Sequence, residues 1–309
     1  MQIYLAPMEG ITTFVYRNAF ARYYGGVDKY FTPFLSNKNL SYKEINDISP
    51  EHNKNLVVVP QILTDRADVF LSVAVQLADY EYREVNLNLG CPSGTVVAKK
   101  RGAGFLSVPD ALDAFLGEIF EKCPLEISIK TRIGMESVDE WERLLTIYGK
   151  YPLKELIVHP RLQMEFYEGT PHAEAFRMAQ EMLPGLPLCY NGDIASKASY
   201  DAITDRLMPM DSIMMGRGVL AHPTLPVTLK TQTSETTPSA EDLKRFRAFH
   251  DEVLDGYREL MSGDQPVLFR LKELWTYMGR YPGLTDKQMK QMRKSKRIDE
   301  YQSIIAGIC

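Results

Sequence analysis

The stretch that decides the fold runs from Glu84 to Gly104, EVNLNLGCPSGTVVAKKRGAG. Its first seven residues, Glu84 to Gly90, alternate apolar and polar and read as a strand. Pro92 has no N–H to give to a ladder and restricts Cys91 before it, so the strand must stop there. A lone thiol thus stands at a strand end, followed by glycines and the cations Lys99, Lys100 and Arg101.

Working outward, seven more runs look alike. They are Gln2 to Met8, Lys29 to Leu35, Asn55 to Leu63, Leu125 to Ile133, Glu155 to Arg161, Leu186 to Ile194 and Asp211 to Gly218. Several are nearly continuous apolar runs, as expected of strands covered on both faces. Between them lie segments of helical period, such as Thr64 to Tyr80 and Val108 to Cys123, the second with Pro109 near its start. Strand–helix alternation argues for parallel pairing through crossovers. Eight units fit an α/β fold of the (β/α)8 TIM-barrel type, which takes about 250 residues.

The character changes near Lys230. The polar stretch Thr231 to Asp242 reads as a linker, and the residues beyond it have helical composition. The expected organisation is a barrel over residues 1–232 and a small C-terminal all-helical domain over 233–309.

Of the 309 residues, 45% are hydrophobic and 25% charged, ordinary values for a soluble globular protein. No apolar run is long enough to span a bilayer, and the first residues lack a leader's pattern. The four cysteines, Cys91, Cys123, Cys189 and Cys309, are far apart and form no CxxC pair. Neither a zinc site nor a disulfide framework is expected, and a reducing cytoplasm is the natural setting. A net charge of −4 is not the global signature of a nucleic-acid binder, although basic clusters occur locally. These are Lys99–Arg101, Arg270 with Lys272, and the run from Lys287 to Arg297.

In such barrels the active site lies at the carboxyl ends of the strands. Those ends read APMEG, Pro60-Gln61, NLGCP, KTR, HPR, NGD and GRG. They are polar or reactive where the strands behind them are apolar. Asn191-Gly192-Asp193 and Gly216-Arg217-Gly218 end strands seven and eight, where barrels often hold phosphate through backbone N–H groups, and Arg217 adds a charged donor. Lys130 can form a Schiff base, hold a phosphate, steady an anionic ring, or simply pair with a carboxylate. His159 is either a satisfied core-edge histidine or a site residue. Gln61 is either a ring-reading amide or a cap. The rim position of Cys91 favours a functional thiol, whereas Cys123 and Cys189 read as core.

APMEG, NLGCPS, IKTR, VHPR, NGDI and MMGRG, in this order, resemble the dihydrouridine synthase family, flavin enzymes that reduce uridine in RNA, chiefly tRNA. The resemblance runs from Ala6 to about Pro223. It implies FMN as cofactor and NADPH or NADH as transient reductant, with Pro7 and Met8 lining the ring. Gln61, Lys130 and His159 would contact the isoalloxazine and ribityl groups. Asn191, Gly192, Asp193, Gly216 and Arg217 would surround the phosphate. Cys91 matches the proton donor, Asn88 the asparagine near flavin and base, and Arg161 a substrate-facing basic residue. Lys99, Arg270 and Lys272 are the further RNA-binding candidates, on a monomeric protein. After Arg161 the chain keeps Tyr167 and Gly169 but lacks the tryptophan that often follows. Outside that family, the strand ends also suit a flavin reductase of a free pyrimidine or enone, a Schiff-base aldolase, or an RNA-binding module without catalysis.

Overall fold

A computed structural model describes residues 1–234, 237–279 and 285–307; Cys309 lies outside them. All eight expected strand runs form strands, nine segments in all. These are β1 Gln2–Leu5, β2 Lys29–Phe31, β3 Val58–Val59, β4 Gln61–Ile62, β5 Glu84–Leu89, β6 Glu126–Arg132, β7 Leu156–His159, β8 Leu188–Tyr190 and β9 Ser212–Met215. They pair in the order β3-β2-β1-β9-β8-β7-β6-β5-β4, each pair parallel. Only Pro60 separates β3 from β4, so the two ends of this order are one strand and the sheet closes into an eight-staved barrel. Pro60 breaks the ladder because it has no N–H to donate. Its carbonyl still accepts from Asn86 N at 2.9 Å.

Side chains alternate across each stave. On β5, Val85, Leu87 and Leu89 face the surrounding helices and are fully buried, while Asn86 and Asn88 face the barrel axis. The interior is layered. At the amino end Lys29 meets Glu84 at 3.1 Å and Glu155 at 3.5 Å. Tyr4 and Ser212 donate to Glu155 at 2.9 and 3.0 Å. The middle is apolar, with Tyr4, Phe31, Val59, Ile157, Cys189 and Met214 in one cluster. The carboxyl end is polar, and the polar strand ends collect there.

Helices Ala67–Asp79 and Pro109–Lys122 occupy the segments where helical period was read. Cys189 is buried as expected; Cys123, at the C-cap of the second of these helices, is half-buried and packs against the edge of the core. Among the described residues four helices follow the barrel: Ala240–Leu260, Asp264–Met278, Asp286–Lys294 and Ile298–Ala306. Phe249 of the first packs edge-on against Tyr16 and Tyr24 of the barrel at 5.5 and 5.4 Å. The main apolar cluster runs from Ile3 to Ile305, so the helical segment and the barrel's outer layer share one core. Among the described residues no helix is long and apolar enough to cross a membrane.

Candidate active site

The Cys91 loop is fixed by a chain of amides rising through the barrel. Asn86 Nδ2 donates to Ser128 Oγ at 2.9 Å, and Gln61 Nε2 donates to Asn86 Oδ1 at 2.8 Å. Asn88 Nδ2 donates to Gln61 Oε1 at 2.7 Å. The free end of that chain, Asn88 Oδ1, accepts from the N–H groups of both Gly90 and Cys91 at 3.0 Å. Asn88 therefore sets where the backbone leaves the strand. The far side is closed by Ala103 N donating to Cys91 O at 3.0 Å. Gly102 has φ +53°, and a Cβ there would lie 2.9 Å from Cys91 O and 3.0 Å from Cys91 Cβ, so only glycine lets the loop close.

Cys91 is a free, half-buried thiol. Burial pushes its pKa above the ordinary value, outweighing a hydrogen bond from the Ser93 backbone and the charges of Lys130 and Arg132. It is a neutral thiol, suited to give a proton rather than to attack.

Beside it opens a cavity of about 650 Å3, within the roughly 300–1,000 Å3 of small-molecule and cofactor sites. Its walls include Pro7, Met8, Gly90, Lys130, His159, Asn191, Gly192, Asp193, Gly216 and Arg217. Lys130 has no carboxylate partner among the described residues. Burial, and then the nearby Arg132, lower its pKa from 10.5 to about 8. His159 is held well below its usual value by burial and by Arg132, Lys130, Arg161 and Arg217, and so is neutral. Its Nε2 lies 3.2 Å from Arg161 Nη1 and accepts, which leaves its proton on Nδ1. Asp193 bridges Arg217, at 2.6 Å, and Arg161, at 3.1 Å from its Nη1. Asn191 Nδ2 donates to Met214 O at 2.8 Å and ties the ends of β8 and β9 together.

The other candidates divide. Gln61 is fully buried and not a cavity wall; it orients Asn88 from below. Lys99 is exposed. Arg161, expected to face substrate, is fully buried. Besides Asp193 and His159 it donates to Glu168 O at 2.9 Å and Gly169 O at 2.6 Å. Lys272, expected to meet RNA, instead donates to the carbonyl of Ser295. Arg270 pairs with Glu273 at 2.9 Å and lies over Gly10, whose φ is +73°.

Arg132, Tyr167, Thr276 and Tyr277 belong to the site but were given no site role from the sequence. Arg132 is fully buried and donates to Gly90 O at 3.0 Å, Leu162 O at 2.8 Å and Phe166 O, clasping two rim loops together. Its inward register two residues beyond Lys130 was the available signal. Tyr167 lines the cavity, with the guanidiniums of Arg132 and Arg217 each over its ring at 5.3 and 4.8 Å. Thr276 and Tyr277 reach the same cavity from helix Asp264–Met278, and no local pattern announces that.

The sequence matches the dihydrouridine synthase (Dus) family over residues 4–296. It is similar to the "Probable tRNA-dihydrouridine synthase 2" of Bacillus subtilis (strain 168), 25% identical over 309 residues that span 97% of this chain and 92% of that protein. It is also similar to a "Probable tRNA-dihydrouridine synthase" of Staphylococcus aureus (strain Mu50 / ATCC 700699), 27% identical over 231 residues, 71% of this chain and 68% of that one. Among solved structures it resembles morphinone reductase at 11% identity, with a TM-score of 0.53 over 78% of this chain and 88% of that chain. It also resembles a 2-naphthoyl-CoA reductase complex at 11% identity, TM-score 0.55, over 75% of this chain and 50% of that chain. These two likenesses establish the barrel fold. With the match covering nearly its whole length, the chain belongs to the dihydrouridine synthase family and is a flavin-dependent oxidoreductase.

Proposed function

We propose that this protein reduces the C5–C6 bond of uridines in tRNA, with FMN in the barrel mouth and NADPH or NADH as the source of electrons. The observation that carries the proposal is the neutral thiol of Cys91, fixed directly after the cavity-lining Gly90, beside a cavity whose lysine has no carboxylate partner among the described residues. The residues fit FMN. The cavity has a cofactor's size, its apolar edge is Pro7 and Met8, and Lys130 is a half-buried cation with no carboxylate partner among the described residues. Arg217 is 40% exposed at the side chain and so open to a phosphate. In this reading Pro7, Met8, Lys130 and His159 meet the ring and ribityl chain. Asn191, Gly192, Gly216 and Arg217 meet the phosphate. Asp193, itself an anion, serves by holding Arg217 and Arg161 in place, and Gln61 by orienting Asn88.

FMN, when bound and reduced, supplies the hydride that adds to C6 of the uracil. Cys91 gives the proton that C5 takes up, so the double bond becomes single, and the resulting thiolate recovers its proton from water. General-acid help of this kind is worth about 10²–10⁴-fold. Asn88 holds the loop that aims the sulfur. The neutral His159 donates only from Nδ1, and Lys130 offers uncompensated positive charge to an electron-rich ring. Uridine must leave its stack to reach the mouth, at a cost of a few kcal/mol that is smallest where the base is already unpaired.

Support for a polynucleotide substrate comes from the helical segment, which we assign as the RNA-contacting part of residues 233–309. Lys287, Lys290, Arg293, Lys294 and Lys296 lie along it, and among the described residues none of their side chains has a carboxylate partner. Contacts of such cations to phosphate make binding salt-dependent. The test is to map dihydrouridine in RNA from cells lacking this protein and to assay the purified enzyme on unmodified tRNA, ribosomal RNA and free uridine. Loss of dihydrouridine at tRNA positions, with turnover on tRNA alone, is expected. Turnover of free uridine as good as that of RNA would replace the proposal with a small-molecule reductase.

A further inference from the structure

Beyond β7 the chain places unusual apolar surface beside the mouth. Met164 is 58% exposed, Phe166 47% and Tyr167 52%. Tyr167 has a place in the cavity wall, but the side chains of Met164 and Phe166 do not line it. This loop is not slack. Leu162 N donates to Glu165 Oε2 at 2.7 Å, and Glu165 Oε1 pairs with His172 at 2.8 Å. Buried Arg161 holds the carbonyls of Glu168 and Gly169, and buried Arg132 holds that of Phe166. Phe166 has φ +50°, a conformation a bulky L-residue avoids and keeps only where its surroundings impose it. Finally, Gln163 Nε2 donates to Pro92 O at 3.1 Å and fastens the loop to the residue after the thiol.

The outcome is an exposed aromatic side chain on a backbone held by buried arginines and tied to Pro92, the residue after the thiol; Lys99 and Lys100, which follow in the same Cys91 loop, are exposed cations. A nucleic acid suits that combination: phosphates meet the lysines and a base has a face for the ring. Extruding a uridine leaves a gap between its neighbours, and proteins that unstack nucleic acids commonly fill such gaps with apolar side chains. We propose that Phe166 is a positioning residue for base extrusion, stacking on the base adjacent to the target uridine and occupying the space the uridine vacates. The inference rests on the RNA-substrate reading above.

The experiment compares FMN-loaded wild-type, Phe166→Ala and Phe166→Trp enzymes on two RNAs: a folded, unmodified tRNA transcript and a short single strand in which the uridine is already unstacked. Phe166→Ala should lower kcat/KM on the folded transcript by about 5- to 150-fold, the equivalent of one base–aromatic stack of roughly 1–3 kcal/mol. It should leave the single strand and the bound FMN unchanged, and Phe166→Trp should keep wild-type behaviour on both RNAs. With 2-aminopurine next to the target uridine, the bound RNA should fluoresce more brightly on Phe166→Ala than on wild type, because the stacking partner is gone. Equal losses on both RNAs, no loss on the folded one, or an effect confined to self-association of the protein would overturn the inference. Wild-type enzyme inactive on either RNA would instead overturn the reading beneath it.

Discussion

Replacing Lys130 by methionine should stabilise the flavin-free protein. The lysine lies among cations with no carboxylate partner, and methionine keeps most of its apolar stem. The fall of its pKa from 10.5 to about 8, at 1.36 kcal/mol per unit, would make the charged form about 3 kcal/mol destabilising. Water at the open mouth screens part of this, which leaves about 1–3 kcal/mol. The sign comes from linkage. A base whose folded pKa lies below its unfolded one carries its full penalty below the folded value, and the penalty is relieved as pH climbs toward the unfolded value. Urea unfolding of FMN-free protein at pH 7 should therefore find Lys130→Met more stable than wild type, with the gap shrinking at about pH 9.5. Saturating FMN should reverse the order, because ligand stabilises the state that binds it by RT ln(1 + [L]/Kd). A variant less stable than wild type at pH 7, or a gap indifferent to pH, would refute the reasoning about an uncompensated charge.

Gly102→Ala should place a methyl group 2.9 Å from Cys91 O at a positive φ. It should cost about 1–2 kcal/mol in unfolding experiments and lower dihydrouridine formation with FMN content intact; unchanged turnover would show that the loop's position is not critical. The raised pKa of Cys91 predicts slow alkylation by iodoacetamide near neutral pH and a proton donor that survives alkaline conditions. Its loss should appear as a fall in turnover only above the ordinary thiol value of 9.0, and alkylation faster than that of a free cysteine would contradict this.

The barrel was legible because its strands are covered on both faces and end abruptly in Gly, Pro, Asn and Asp. Pro60 alone split one run into two ladder segments, and nothing in composition says which way a closed circle is joined. At the site, residues whose backbone position fixes where they lie were readable: the Cys91 turn, the glycines of NGD and GRG, and the inward Lys130 all fall at or beside the cavity. Residues whose role depends on side-chain direction were not. Arg161 reads as a rim cation, but it turns inward because Asp193 and two loop carbonyls await it. Lys272 likewise spends its charge on a neighbouring carbonyl. Thr276 and Tyr277 enter the cavity from a helix more than a hundred residues past Cys91, a juxtaposition only the packed fold creates.

The most direct test of the central claim is a single substitution followed on the flavin-loaded protein. Cys91→Ala, purified with its FMN and reduced, is mixed with unmodified tRNA, and dihydrouridine is counted against wild type. A thiol that protonates C5 predicts retained FMN and a rate lower by about 10²–10⁴-fold in the variant; dihydrouridine forming at the wild-type rate would contradict it.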